Sequence, residues 1–123
     1  MKPRLATAAD LKKLTHKRSK YGNVPVVVDG LRFHSKGEAR RWQELELLQS
    51  QQLICELKRQ VVYYLSAQIK ICADFAYYER TTHGWCPVTE DFKGGPLTQV
   101  FKLKAKLFEA KYGRRILITR AKR

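Results

Sequence analysis

Acidic side chains are scarce in this sequence. Eleven Asp and Glu stand against 25 Lys and Arg, giving 123 residues a formal net charge of +14. Cysteine is also sparse: Cys55, Cys72 and Cys86 are odd in number and widely spaced, which excludes a disulfide framework. Two of them lie in apolar runs, where cysteine acts as a small hydrophobe. Zinc needs four ligands at short spacing, and His83-Gly84-Trp85-Cys86 offers half of such a site. No run of about 18 apolar residues occurs, so no membrane-spanning helix is expected. The opening Met1-Lys2-Pro3-Arg4 is basic but lacks the apolar run of a signal peptide, and a cytoplasmic location is expected.

The basic residues are abundant, and they cluster at the ends. Residues 1–23 carry seven, among them Lys12, Lys13, Lys17, Arg18 and Lys20, against the single acid Asp10. Arg114, Arg115, Arg120, Lys122 and Arg123 close the chain with no acid among them. Such ends suit a polyanion, and nucleic acid is the expected partner. A ribosomal-type structural protein would share this charge. Residues 1–23 lack sustained apolar periodicity and are expected as an arm, partly helical or disordered, preceding one domain over residues 24–123.

Within that domain, Val26-Val27-Val28-Asp29-Gly30-Leu31-Arg32-Phe33 reads as a hairpin about an Asp-Gly turn. Ser35 then opens a helix as N-cap, with Glu38 at the capping-box position and Ala39, Trp42, Leu45 and Leu48 on its buried face. Strands are expected over 57–65, 68–78 and 85–93. In the second, Ile69, Ile71, Ala73, Phe75 and Tyr77 make one face, and Asp74 lies on the other. After the break Gly94-Gly95-Pro96, a helix over 97–112 is expected to turn Val100, Leu103, Leu107 and Ala110 to the core, with Gly113 as its C′ residue. A short strand at 116–119 ends the fold. The class is α/β, a mixed sheet flanked by helices. The second helix crosses over to make the last strand parallel to its neighbour.

Against the basic background a few carboxylates stand out. Asp74 sits among Ile, Ala, Phe and Tyr, where an unpaired charge is costly. Asp91-Phe92-Lys93 places a carboxylate and an ammonium two apart on a strand, so both point the same way. Glu90 points to the other face and is expected outside any metal shell. Glu38 has a structural role in its capping box, and such a helix-borne acid can also hold a cation. Divalent metal held by carboxylates, with a lysine beside it, is what phosphodiester hydrolysis requires.

In this order, Glu38 on a helix, Asp74 on a strand, and Asp91-Phe92-Lys93 before a second helix resemble the PD-(D/E)XK nuclease superfamily. The chain is similar, more narrowly, to a small, mostly phage-encoded family within it whose function is unknown. Matching stretches are Lys20-Tyr21-Gly22-Asn23, Val28-Asp29-Gly30, Ser35-Lys36-Gly37-Glu38-Ala39, Ala73-Asp74-Phe75, Glu90-Asp91-Phe92-Lys93-Gly94 and Phe101-Lys102-Leu103-Lys104, spanning residues 20–119. The resemblance implies a restriction-endonuclease-like α-β-β-β-α-β core. It implies catalysis by Glu38, Asp74, Asp91 and Lys93, with Mg²⁺, or Mn²⁺ as substitute, held by Glu38, Asp74, Asp91 and the Phe92 carbonyl. It also suggests a Gln or Lys near the scissile phosphate, for which Gln99, Lys102 and Lys106 are candidates, with Lys36 a further phosphate contact. Gln60-Val61 stands where relatives have Gln-Pro, and His34 where an acid is frequent.

The expected activity is thus a Mg²⁺-dependent DNA endonuclease that reads shape, acting on branched DNA such as a Holliday junction in phage recombination or DNA processing. A homodimer would place one site on each side of a junction. The alternatives are a nuclease for flapped, nicked or single-stranded DNA, or a non-catalytic DNA-binding protein on the same scaffold.

Overall fold

A computed structural model describes residues 24–121, so Lys12, Lys13, Lys17, Arg18 and Lys20 of the basic arm lie outside the described residues. The elements run β1 (Val26–Val28), β2 (Leu31–Phe33), α1 (Lys36–Ser50), β3 (Ile54–Tyr64), β4 (Lys70–Thr81), β5 (Gly84–Phe92), α2 (Gln99–Tyr112) and β6 (Leu117–Thr119). The Asp-Gly turn forms as expected: Asp29 and Gly30 both take positive φ, 52° and 78°, and β1 pairs with β2 antiparallel.

The hairpin stands apart from a four-stranded sheet of order β3-β4-β5-β6. Antiparallel pairing runs from β3 to β5, and the α2 crossover makes β5 and β6 parallel, with Asp91 opposite Ile118. The sheet is therefore mixed. The helices lie over opposite faces, as the adjacent residues of β5 reveal. Glu90 bonds Arg41 on α1, whereas Thr89 bonds Tyr63 and Arg114.

Two apolar clusters result. Leu45, Ile54, Phe75 and Tyr77 are buried with Trp42, Leu48 and Phe92 packed around them on the α1 side. Ile71, Phe101, Phe108 and Ile116 form the second cluster, with Tyr63, Leu65 and Ala105. Ile71 and Phe75 thus serve different helices, and Ile69 is exposed, so the single face expected for β4 does not exist. On β3, Leu57 joins the first cluster and Tyr63 the second. The left-handed backbone of Gln60 (φ 51°) lies between them and breaks the period of two. A second left-handed residue, Glu56, accompanies a register shift between Cys55 and Lys58.

The expected face of the second helix also needs correction. Phe101 and Phe108 are its buried residues, while Val100 and Leu103 are 63% and 60% exposed. The face is turned by one residue, about 100°, because the larger aromatic rings remove more apolar area from water than Val and Leu do. Phe108 packs edge-on against Tyr63 at 5.2 Å. Gly113 ends the helix in the left-handed conformation, φ 73°, as expected of a C′ glycine.

Candidate metal centre

Among the described residues four carboxylates are buried: Glu38, Asp74, Glu90 and Asp91. Glu90 is fully satisfied. Arg41 grips it with two bonds of 2.7 and 2.9 Å, and Tyr77 (2.8 Å) and Thr119 (3.2 Å) donate to it as well. The hydrogen bond with Glu90 raises the Arg41 pKa, and burial followed by Glu90 raises that of Tyr77. Strand alternation thus sends Glu90 to the α1 side, away from the other acids.

The remaining three converge. Asp91 and Lys93 share a face at the end of β5, with Lys93 Nζ 3.1 Å from Asp91 Oδ2. The Lys93 ammonium also lies 3.9 Å from the centre of the Phe101 ring, a cation–π contact that fixes its position. Asp74 lines the same cavity as Asp91, and each carboxyl perturbs the pKa of the other. Asp74 Oδ2 accepts from the Phe92 main-chain N–H at 2.8 Å. Glu38 comes from the first turn of α1. That turn can approach β5 because residue 37 is glycine: a Cβ there would fall 2.4 Å from the Phe92 ring.

Glu38 departs from the expected capping box. Its N–H donates to Ser35 Oγ at 3.1 Å, which is the first half of the box. Its carboxylate, however, accepts from His34 N at 3.1 Å instead of from the cap residue. The carboxylate is drawn inward by Gln60, whose Nε2 lies 3.3 Å from Glu38 Oε1 and 3.4 Å from Asp74 Oδ1. Gln60 is the cross-strand neighbour of Asp74, and its left-handed backbone aims the amide between the two acids. His34 flanks the other side, with Nδ1 3.3 Å from Glu38 Oε2.

Burial, then the hydrogen bond and charge of Asp74, lift the Asp91 pKa to about 7, against the opposing pull of Lys93. Burial raises Asp74 too, with Glu38 adding to the effect and the Asp91 hydrogen bond resisting it. Two carboxylates that disfavour joint ionisation hold either a proton or a cation. They line a cavity of about 540 Å³ together with Glu38, Lys93, Phe92 and His34. Cys72 lines it as well. Its thiol donates to Gln60 Oε1 at 3.3 Å and is raised in pKa by burial and by Asp74.

Glu38, Asp74, Asp91, Phe92 and Lys93 therefore share one cavity. The expected DNA contacts do not: Gln99, Lys102 and Lys106 are exposed on α2 and line a neighbouring groove, which meets the cavity at Leu97. Lys36 is exposed on the first residue of α1. Gln60 and His34 have no site role assigned by their sequence context, yet both touch Glu38. A polar Gln inside a strand was the available signal for Gln60. His34 was marked by standing where an acid is frequent in the family the chain resembles, and its contact depends on where Glu38 turns.

The donor set fits a divalent cation. One atom each of His34, Glu38 and Asp74 lie within 4.8 Å of one another, and this is the metal-type cluster found among the described residues. Carboxylate oxygens suit Mg²⁺ and Mn²⁺, and a buried like-charged pair is relieved by positive charge. No curated protein and no solved structure matches the chain. Residues 18–123 match a family described as "protein of unknown function (DUF1064)", and the chain belongs to that family.

Proposed function

We propose that this protein is a metal-dependent DNA endonuclease of the PD-(D/E)XK type. The observation that carries this reading is the convergence of buried Glu38, Asp74 and Asp91 with the Lys93 ammonium in one cavity. A mere binding scaffold gains nothing from three desolvated acids facing a phosphate. The order of α1, β3, β4, β5, α2 and β6 agrees with the core such nucleases use.

A divalent cation held by Glu38, Asp74, Asp91 and the Phe92 carbonyl would supply Lewis acidity and a reactive water at neutral pH. The protein's own groups do the rest. Gln60 keeps Glu38 and Asp74 facing each other, and the Phe92 N–H fixes the orientation of Asp74. Lys93, held between Asp91 and the Phe101 ring, would offer a fixed positive charge to a pentacovalent phosphate bound at the centre. The basic ends and the lysines of α2 contact phosphates and carry no sequence information, which favours a branched substrate over a sequence motif. On this reading the active form is a homodimer working in the cytoplasm, with one centre per DNA arm.

The test uses labelled four-way junction, flap, nicked, duplex and single-stranded DNA with Mg²⁺, Mn²⁺ or EDTA. Metal-dependent cutting of the junction is expected. Asp74→Asn, Asp91→Asn and Lys93→Ala should each lower the cutting rate by about 10²–10⁴-fold while leaving binding intact. Cutting that persists in EDTA or in these variants refutes the mechanism. Binding without cutting under every metal leaves the scaffold reading standing. Light scattering on the free protein and on its junction complex decides the dimer.

A further inference from the structure

We propose that His34 is a nitrogen ligand of the centre and biases it toward a first-row transition cation such as Mn²⁺ over Mg²⁺. This rests on the metal-centre reading above. The donor atoms fall into two sets. Asp91 is paired with Lys93 at 3.1 Å. Glu38 and Asp74 are grouped with His34, one ligand atom of each lying within 4.8 Å of the others, a spacing that a single ion can bridge.

The His34 side chain is 73% exposed, whereas that of Glu38 is 3% exposed. The imidazole is therefore free to rotate at the rim, while the carboxylate it must join is fixed. His34 is also anchored there by its own main chain, since its N–H donates to the same Glu38 oxygen its ring approaches. A rotation of the ring would let the 3.3 Å contact with Glu38 give way to a bond from the imidazole to an ion shared with Glu38 and Asp74. On the opposite side Gln60 donates to both carboxylates, so neither swings away when the ring turns.

The chemistry of this set is not that of an all-oxygen site. Mg²⁺ demands oxygen ligands and keeps several waters, whereas imidazole suits transition cations and adds affinity in the order Mn²⁺ < Co²⁺ < Ni²⁺. One imidazole beside two carboxylates therefore shifts selectivity without excluding Mg²⁺.

The untagged full chain is titrated with Mn²⁺ and Mg²⁺ by calorimetry, and the Mn²⁺ form is studied by electron spin-echo spectroscopy for coupling to ¹⁴N. Wild type should bind Mn²⁺ about 10-fold or more tightly than Mg²⁺ and show directly coupled nitrogen. His34→Ala should lose the nitrogen coupling and weaken Mn²⁺ by about 10-fold, with Mg²⁺ affinity held within about twofold. His34→Asp should also lose the nitrogen coupling while strengthening Mg²⁺ relative to Mn²⁺. Circular dichroism establishes that each variant is folded. Absence of nitrogen coupling in the wild type overturns the proposal, as does Mn²⁺ affinity unchanged in His34→Ala. Mn²⁺ binding that survives in Asp74→Asn overturns it too. A centre with bound nitrogen that cuts no DNA would uphold His34 and refute the nuclease. Cutting with no nitrogen signal would do the reverse.

Discussion

Asp91 titrates in a setting made by its neighbours. Asp74 faces it as a second buried carboxyl, Glu38 lies beyond Asp74, and Lys93 is its cation. Its pKa of about 7 lies above the value of about 3.9 in an unfolded chain. Between those values the folded protein keeps a proton that the unfolded chain has released. Without metal, this contribution to stability is complete below about pH 4 and is lost as pH rises toward 7. Thermal melts in EDTA from pH 4.5 to 8 should therefore show stability falling with pH. Asp91→Asn should flatten that slope and raise stability at pH 8 by about 1 kcal/mol or more. A divalent cation takes the proton's place, so its stabilisation should be largest above pH 7. A steeper slope in Asp91→Asn would contradict this account. At this scale the acids were legible, because carboxylates in apolar runs are rare on a basic chain. Gln60 was marked as a polar residue inside a strand, but its aim at both acids depends on a positive φ that no residue type announces.

The helix–strand contact at Gly37 decides whether those acids can meet. The first turn of α1 rests on the Phe92 ring, and an added Cβ would lie 2.4 and 2.6 Å from two of its atoms. The ring is held in the first cluster, and its N–H holds Asp74, so it cannot yield freely. Gly37→Ala should cost about 1–3 kcal/mol in urea unfolding. Because the displaced turn carries Glu38, metal affinity should fall as well. Stability and metal affinity both equal to wild type would show that the turn yields without consequence. Element types were well marked in the sequence: the Asp-Gly hairpin, the Ser35 cap and the Gly113 terminus all follow from local chemistry. Faces were less so. The second helix offers two apolar stripes, Val100-Leu103-Leu107-Ala110 and Phe101-Ala105-Phe108-Tyr112, and periodicity alone cannot rank them. The packing of Phe108 against Tyr63 and Tyr112 decides for the second.

At the scale of the whole molecule, charge and site are separate. The cavity concentrates acids on a chain whose net charge is +14, and Gln99, Lys102 and Lys106 line a neighbouring groove. Substituting Lys12, Lys13, Lys17, Arg18 and Lys20 together with alanine should weaken DNA binding most at low salt. It should also make the log–log salt slope shallower by up to about 4–5, measured by fluorescence anisotropy. An unchanged slope would show that the arm makes no phosphate contacts. The sequence by itself determined the α/β class, the order of elements and the parallel last strand. Each of these depends on residue type and spacing within segments and on the order in which segments follow one another. Only the tertiary structure decided that Glu90 is spent on Arg41 while Asp91 faces Asp74. It alone decided that Glu38 turns from its cap to Gln60 and His34, and that α2 buries Phe101 and Phe108. Those outcomes depend on contacts between segments up to 49 residues apart. There, packing of the larger rings and pairing of desolvated charges outweigh local preference.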